Sequence, residues 1–147
     1  MKFLNSFQPL GLLILRIALG FIFLTHGYPK LTHAAGPLQE MFVQHGLPAQ
    51  FVYVAGVLET FGGLLLLVGL FVRGTGLLFA VEMAVAIAKV HSVHGIMALR
   101  EYEFPLTLAC ASLALATVGA GALSIDHLLF AEGAVTRSRS VAKLSKK

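Results

Sequence analysis

Cysteine is nearly absent from this chain: Cys110 is the single one in 147 residues. It has no partner for an intramolecular disulfide and no CxxC neighbour, which excludes thiol–disulfide chemistry within one chain. Metal-site patterns are missing as well. There is no HExxH, no Cys-His cluster and no carboxylate at ligand spacing, so no metal is predicted. Ser112 and Ser124 lack neighbours that would form a nucleophile-base arrangement, and no glycine-rich phosphate loop is present. No folded basic face with interleaved aromatics exists, which sets nucleic acid aside as a partner. Charge is scarce throughout, at 12% of residues against 57% hydrophobic. That balance belongs to membrane proteins rather than soluble ones.

What fills the sequence is four apolar runs, about residues 10–28, 51–72, 76–91 and 104–123. A stretch of about 20 apolar residues crosses a hydrocarbon core of about 30 Å. The third run is the most interrupted, by Glu82, Lys89 and His91. Short joints make neighbouring helices antiparallel, so the expected fold is all-α: an integral membrane four-helix up-down bundle, one domain over residues 1–147. The first run contains Arg16, exceeds a signal-peptide core and lacks a small-residue cleavage site after it, so it is read as an anchor.

Basic residues set the expected orientation. Lys2, Arg73, Arg137, Arg139, Lys143, Lys146 and Lys147 fall on the side of the termini, and only Lys30 and Arg100 fall opposite. The positive-inside rule then makes the N and C termini cytoplasmic in a multi-pass protein. The basic tail over 134–147 is expected against anionic membrane lipids. On the outer side, PLQEMFVQHGLP places Leu38, Met41, Phe42 and His45 on one helical face, the pattern of a short interfacial helix. The sequence EYEFP puts Pro105 in the first turn of the fourth helix, with Glu103 at its positive dipole end. VRGTG reads as the tight inner turn between the second and third helices.

Ionisable residues inside the spans are where function is expected, because hydrocarbon excludes unpaired charge. From the helical rise, Arg16 and Glu82 each lie about 9 Å above the cytoplasmic end of their helices, and Glu59 and Lys89 about 12 and 9 Å below the outer surface. Two stacked acid-base pairs are therefore predicted, Arg16 with Glu82 and Glu59 with Lys89. Arg16, Gly20, Phe23, Gly27 and Lys30 follow helical spacing down one inward stripe. Gly62, Gly63 and Gly69 let a neighbouring backbone approach closely. Such pairs can simply fix helix register, or they can line a polar cavity for a ligand or a proton. His26, His33, His45, His91 and His94 lie at or above the outer end and His127 at the inner one. His91 and His94 have a spacing that lets two ligands converge, but polar interfacial histidines are the preferred reading.

The segments LLILRIALGFIFLTHGYPKL, LETFGGLLLLVGLFVRGTGLLFAVEMAVAIAKVH and EYEFPLTLACASLALATVGAGALSID resemble the DoxX family of small bacterial and archaeal membrane proteins. The resemblance covers about residues 12–128. Its most specific marks are Arg16, Gly20, Gly27 and Lys30; Glu59, Gly62 and Gly63; Gly69, Leu70 and Arg73; and Glu103, Pro105, Ser124 and Asp126. It implies a four-helix protein of the cytoplasmic (inner) membrane tied to redox metabolism, since the family is named after a subunit of a thiosulfate:quinone oxidoreductase and other members are linked to oxidative-stress complexes. It does not imply that this chain oxidises thiosulfate. The leading expectation is a quinone-linked redox component. Glu59, Lys89 and His26 are its expected catalytic groups, and Arg16, Glu82, Lys30 and His91 are expected to bind the ligand. Electrons would come from a partner or an external reductant. A scaffold or accessory subunit recruiting a redox enzyme, with or without self-association, is the alternative; a small-solute or proton pathway is a third.

Overall fold

The computed structural model describes Phe3 and residues 6–33, 36–91 and 99–130. Lys2, His94, the basic tail over 134–147 and the side chain of His91 lie outside the described residues. Within the described residues every regular element is helical: α1 Gln8–Thr32, α2 Pro37–Gln44, α3 Phe51–Val68, α4 Val72–Ala86, a π-helical turn Ile87–His91, and α5 Leu99–Val118. Residues 125–130 add a short helical segment. Among the described residues, α1 and α3 are long and apolar enough to cross a membrane.

The most extensive contacts join α1 to α3 and α4 to α5. Glycine makes the first pairing close. A Cβ on Gly20 would lie 2.9 Å from the Gly63 carbonyl oxygen, and one on Gly27 would lie 2.6 Å from the Thr60 nitrogen. Small residues let helices approach to backbone contact, where packing drives association in lipid. Phe23 of α1 and Phe79 of α4 stack at the centre with ring centroids 3.6 Å apart. Leu19, Leu66, Leu108 and Leu115 complete the buried core around them. This apolar middle separates two polar layers. One lies at the turn end, where α3 passes to α4; the other lies at the cap end, beside α2. The faces of α2 follow the expected pattern, with Leu38, Met41, Phe42 and His45 half-buried and Glu40, Val43 and Gln44 exposed.

Helix boundaries differ from the sequence reading: α1 runs to Thr32 rather than about residue 28 and α5 ends at Val118 rather than about 123, and two further shifts change local roles. Helix α3 ends at Val68, where Gly69 at φ 75° donates its N–H to the Leu65 and Leu66 carbonyls. The tight turn is therefore 69–71, with Phe71 also at positive φ, and VRGTG is the first part of α4 instead. The cause is a cap from far along the chain. Asp126 accepts the Phe71 N–H at 2.8 Å through Oδ1 and the Val72 N–H at 2.9 Å through Oδ2. A carboxylate there satisfies orphan N–H groups and meets the positive end of the helix dipole. At the other boundary, α5 already runs from Leu99, so Pro105 is a buried residue inside the helix and not in its first turn.

Gly69 cannot be replaced cheaply. A Cβ there would sit 2.5 Å from Arg16 Nη1, on a backbone that side chains rarely adopt. Gly69→Ala is expected to cost about 2 kcal/mol, from left-handed strain and displacement of the guanidinium. Melting in detergent measures it, and an unchanged midpoint would contradict this account of the turn.

Candidate functional site

At the turn end, Arg16 is 1% exposed, so its charge must be met inside the protein. Its Nη1 donates to the Ala120 carbonyl and its Nη2 to the Leu123 carbonyl, each at 2.7 Å. Asp126 is the carboxylate that acts on it electrostatically. The fork geometry of guanidinium suits two separate carbonyls, which a lysine ammonium on one axis would not match. Arg16 is thus a clasp between α1 and the stretch after α5. The expected pairing of Arg16 with Glu82 is not present.

The cap end holds the other charges. Lys30 Nζ lies 2.6 Å from both Oε1 and Oε2 of Glu59. Glu59 is 3% exposed, so this is a pair largely removed from solvent. Its origin is local: α1 continues through Pro29 to Thr32, which keeps Lys30 on the helix. Helical side chains lean toward the N-terminus, so Lys30 reaches back toward the level of Gly27, where the Glu59 Cβ lies 2.7 Å from a Cβ built on that glycine. The expected pairing of Glu59 with Lys89 is replaced by this one, since both Glu59 oxygens are engaged by Lys30.

Glu82 enters the same layer from α4. Both of its carboxylate oxygens are buried without a hydrogen-bond partner. Because α4 begins at Val72, Glu82 sits about 15 Å along its helix rather than the 9 Å expected from a start at Gly76. Arg16 lies against Gly69 in the turn below it, so Glu82 stands well above Arg16 and shares the layer of Lys30 and Glu59. Together the three line a cavity of about 240 Å³ whose remaining walls are apolar, among them Phe42, Leu58 and Met83. Two acids face one base there, and buried polar groups left unpaired at a cavity wall are candidates for ligand contact.

The other expected site residues stand apart. Lys89 is exposed on the π-helical turn and does not line the cavity. His26 is exposed, with Nδ1 2.8 Å from the Ile22 carbonyl oxygen and its ring 6.1 Å from that of Phe104. The backbone of His91 closes the π-helical turn. Among the described residues, no three His, Cys, Asp or Glu side chains converge to hold a metal ion. The Lys30–Glu59 contact had a readable signal in the glycines Gly27 and Gly56, which mark where α1 and α3 touch. The Arg16 clasp had none, because its acceptors are backbone carbonyls.

Residues 11–92 match the family model for DoxX, more than half of the chain. The chain belongs to the DoxX family. It is 35% identical over 127 residues to a Bacillus subtilis protein named "Putative oxidoreductase CatD", covering 86% of this chain and 92% of that one. It is 33% identical over 131 residues to the "Inner membrane protein YqjF" of Escherichia coli, covering 86% and 97%. No solved structure matches the chain. Family and relatives place this DoxX protein among bacterial membrane proteins. The matched stretch carries Arg16, Lys30, Glu59 and Glu82, hence the whole charged part of the cap-end cavity.

Proposed function

We propose that this DoxX protein is a quinone-linked redox component of the cytoplasmic membrane, crossing it four times with its termini inside and seating a quinone ring in the Lys30–Glu59–Glu82 cavity. The observation that carries the reading is Glu82: a buried carboxyl group, unpartnered, beside a Lys–Glu pair and otherwise among apolar side chains. At about 240 Å³ the cavity is smaller than the roughly 300–1,000 Å³ that encloses a drug-sized ligand, so it suits one ring rather than a ring with its tail.

Reduction of a quinone adds two electrons and two protons. In this reading Glu82 in its protonated form donates to one quinone carbonyl and supplies one proton there, and the Lys30 ammonium donates to the other carbonyl and supplies the second. Glu59 is a positioning residue that holds Lys30 in place. The electrons come from a reductant or a partner enzyme, and the name of the Bacillus relative supports the oxidoreductase class. The Phe23–Phe79 stack lies between the two charged layers, which weighs against a polar route through the protein.

The accessory-subunit reading has one observation of its own. The Lys30–Glu59 pair joins α1 to α3, as a purely structural pair would. Glu82→Leu separates the two, because it leaves that pair intact, nearly keeps the side chain's size and removes the donor. The protein is purified in mild detergent, and bound quinone is quantified by extraction and by titration with a short-tailed benzoquinone. Losing the hydrogen bond to the quinone carbonyl is expected to weaken binding about tenfold with no fall in the melting midpoint. Full quinone affinity in folded Glu82→Leu removes this residue from the site, and no saturable binding by the unmodified protein ends the quinone reading.

A further inference from the structure

The cap-end cavity has walls of two kinds. Toward the cap it is closed by the half-buried side chains of Phe42 on α2 and Leu47. Toward one flank its lining residues Phe51, Val54 and Val85 are at the same time 47%, 58% and 44% exposed. A side chain that both lines a cavity and faces the surroundings stands at its mouth, so the mouth lies sideways, between α3 and α4. The packing shows why it lies there. Helices α3 and α4 are consecutive, yet each makes its main contacts with another helix, α1 and α5 respectively. Beside the mouth α4 changes into the π-helical turn, an irregularity that often accompanies functional sites in helices.

We infer that the ligand enters this site laterally from the bilayer, through the seam between α3 and α4, and that its apolar tail remains in that seam when the ring is seated. This rests on the quinone reading and narrows it to long-tailed, membrane-dissolved quinones, as opposed to water-soluble ring compounds arriving from the outer face. The cavity volume leaves no place for a tail inside, and the mouth is lined by one aromatic and two aliphatic side chains with no charge among them. A water-soluble ring would instead have to displace α2. An isoprenoid tail in the seam stays in hydrocarbon throughout, so seating the ring costs no exposure of the tail to water.

Two photoreactive quinones test this with the unmodified protein in phosphatidylcholine vesicles, one carrying a diazirine early in the tail and one an azide on the ring. Adducts are mapped by mass spectrometry with and without excess unlabelled long-tailed quinone. The expected result is tail adducts on Phe51, Val54 or Val85 and ring adducts near Glu82 and Met83, both lost on competition. Displaceable ring adducts with tail adducts on Phe42 or Leu47 would overturn the lateral route while leaving the ring site standing. If neither probe gives displaceable adducts, the ring site falls, and the lateral route with it.

Discussion

Lys30→Met is expected to destabilise the protein by about 3–5 kcal/mol, the range for breaking a buried ion pair by removing one partner. Glu59 is buried and takes both of its contacts from Lys30, and Glu82 faces the same cavity without a partner. Removing the ammonium leaves the Glu59 charge alone in a low-dielectric space, where an unpaired carboxylate is costly. Much of the loss is expected to return in Lys30→Met combined with Glu59→Gln, since the second change removes the orphaned charge. Lys89→Met is expected to leave melting unchanged, because Lys89 is exposed and away from the cavity. Melting of the four proteins in one detergent is the measurement. A harmless Lys30→Met beside a damaging Lys89→Met would reinstate the Glu59–Lys89 pairing.

The reason this contrast was not legible in the sequence is a matter of helix ends. Apolar runs mark where helices are, and the inward stripe from Arg16 to Lys30 follows from spacing alone. Their termini depend on other things. Pro29 looks like a stop, yet it sits in the last turn of α1, and Lys30 stays on the helix with its side chain directed back into the interior. The start of α4 is set by Asp126, a residue 54 positions beyond Val72, which no local pattern predicts. Moving that start by four residues raises Glu82 by about 6 Å, more than one helical turn. Arg16 in turn sits lower than expected, its guanidinium against Gly69 in the turn, so both shifts separate the two and leave Glu82 in the layer of Lys30 and Glu59. The amphipathic α2, by contrast, was readable, since its two faces are written in eight contiguous residues.

Arg16→Ala is expected to be the other large loss, about 3–5 kcal/mol, and its cause differs from that of Lys30. No carboxylate is orphaned in a cavity; two carbonyls of the stretch after α5 lose charge-assisted donors, each worth about 1.5–3 kcal/mol. The same stretch delivers Asp126 to the start of α4, so the clasp and the cap hold one another in place. Arg16→Lys keeps the charge but offers a single ammonium where two separate carbonyls wait, and it is expected to recover only part of the loss. Coupling distinguishes the partners. Arg16→Ala and Asp126→Asn act on one network and are expected to cost less together than the sum of each alone, whereas Arg16→Ala and Glu82→Gln lie on opposite sides of the Phe23–Phe79 stack and are expected to add. Melting midpoints of the single and double variants give both coupling energies. Additivity with Asp126 and strong coupling with Glu82 would return Glu82 to the level of Arg16 and remove it from the cap-end cavity.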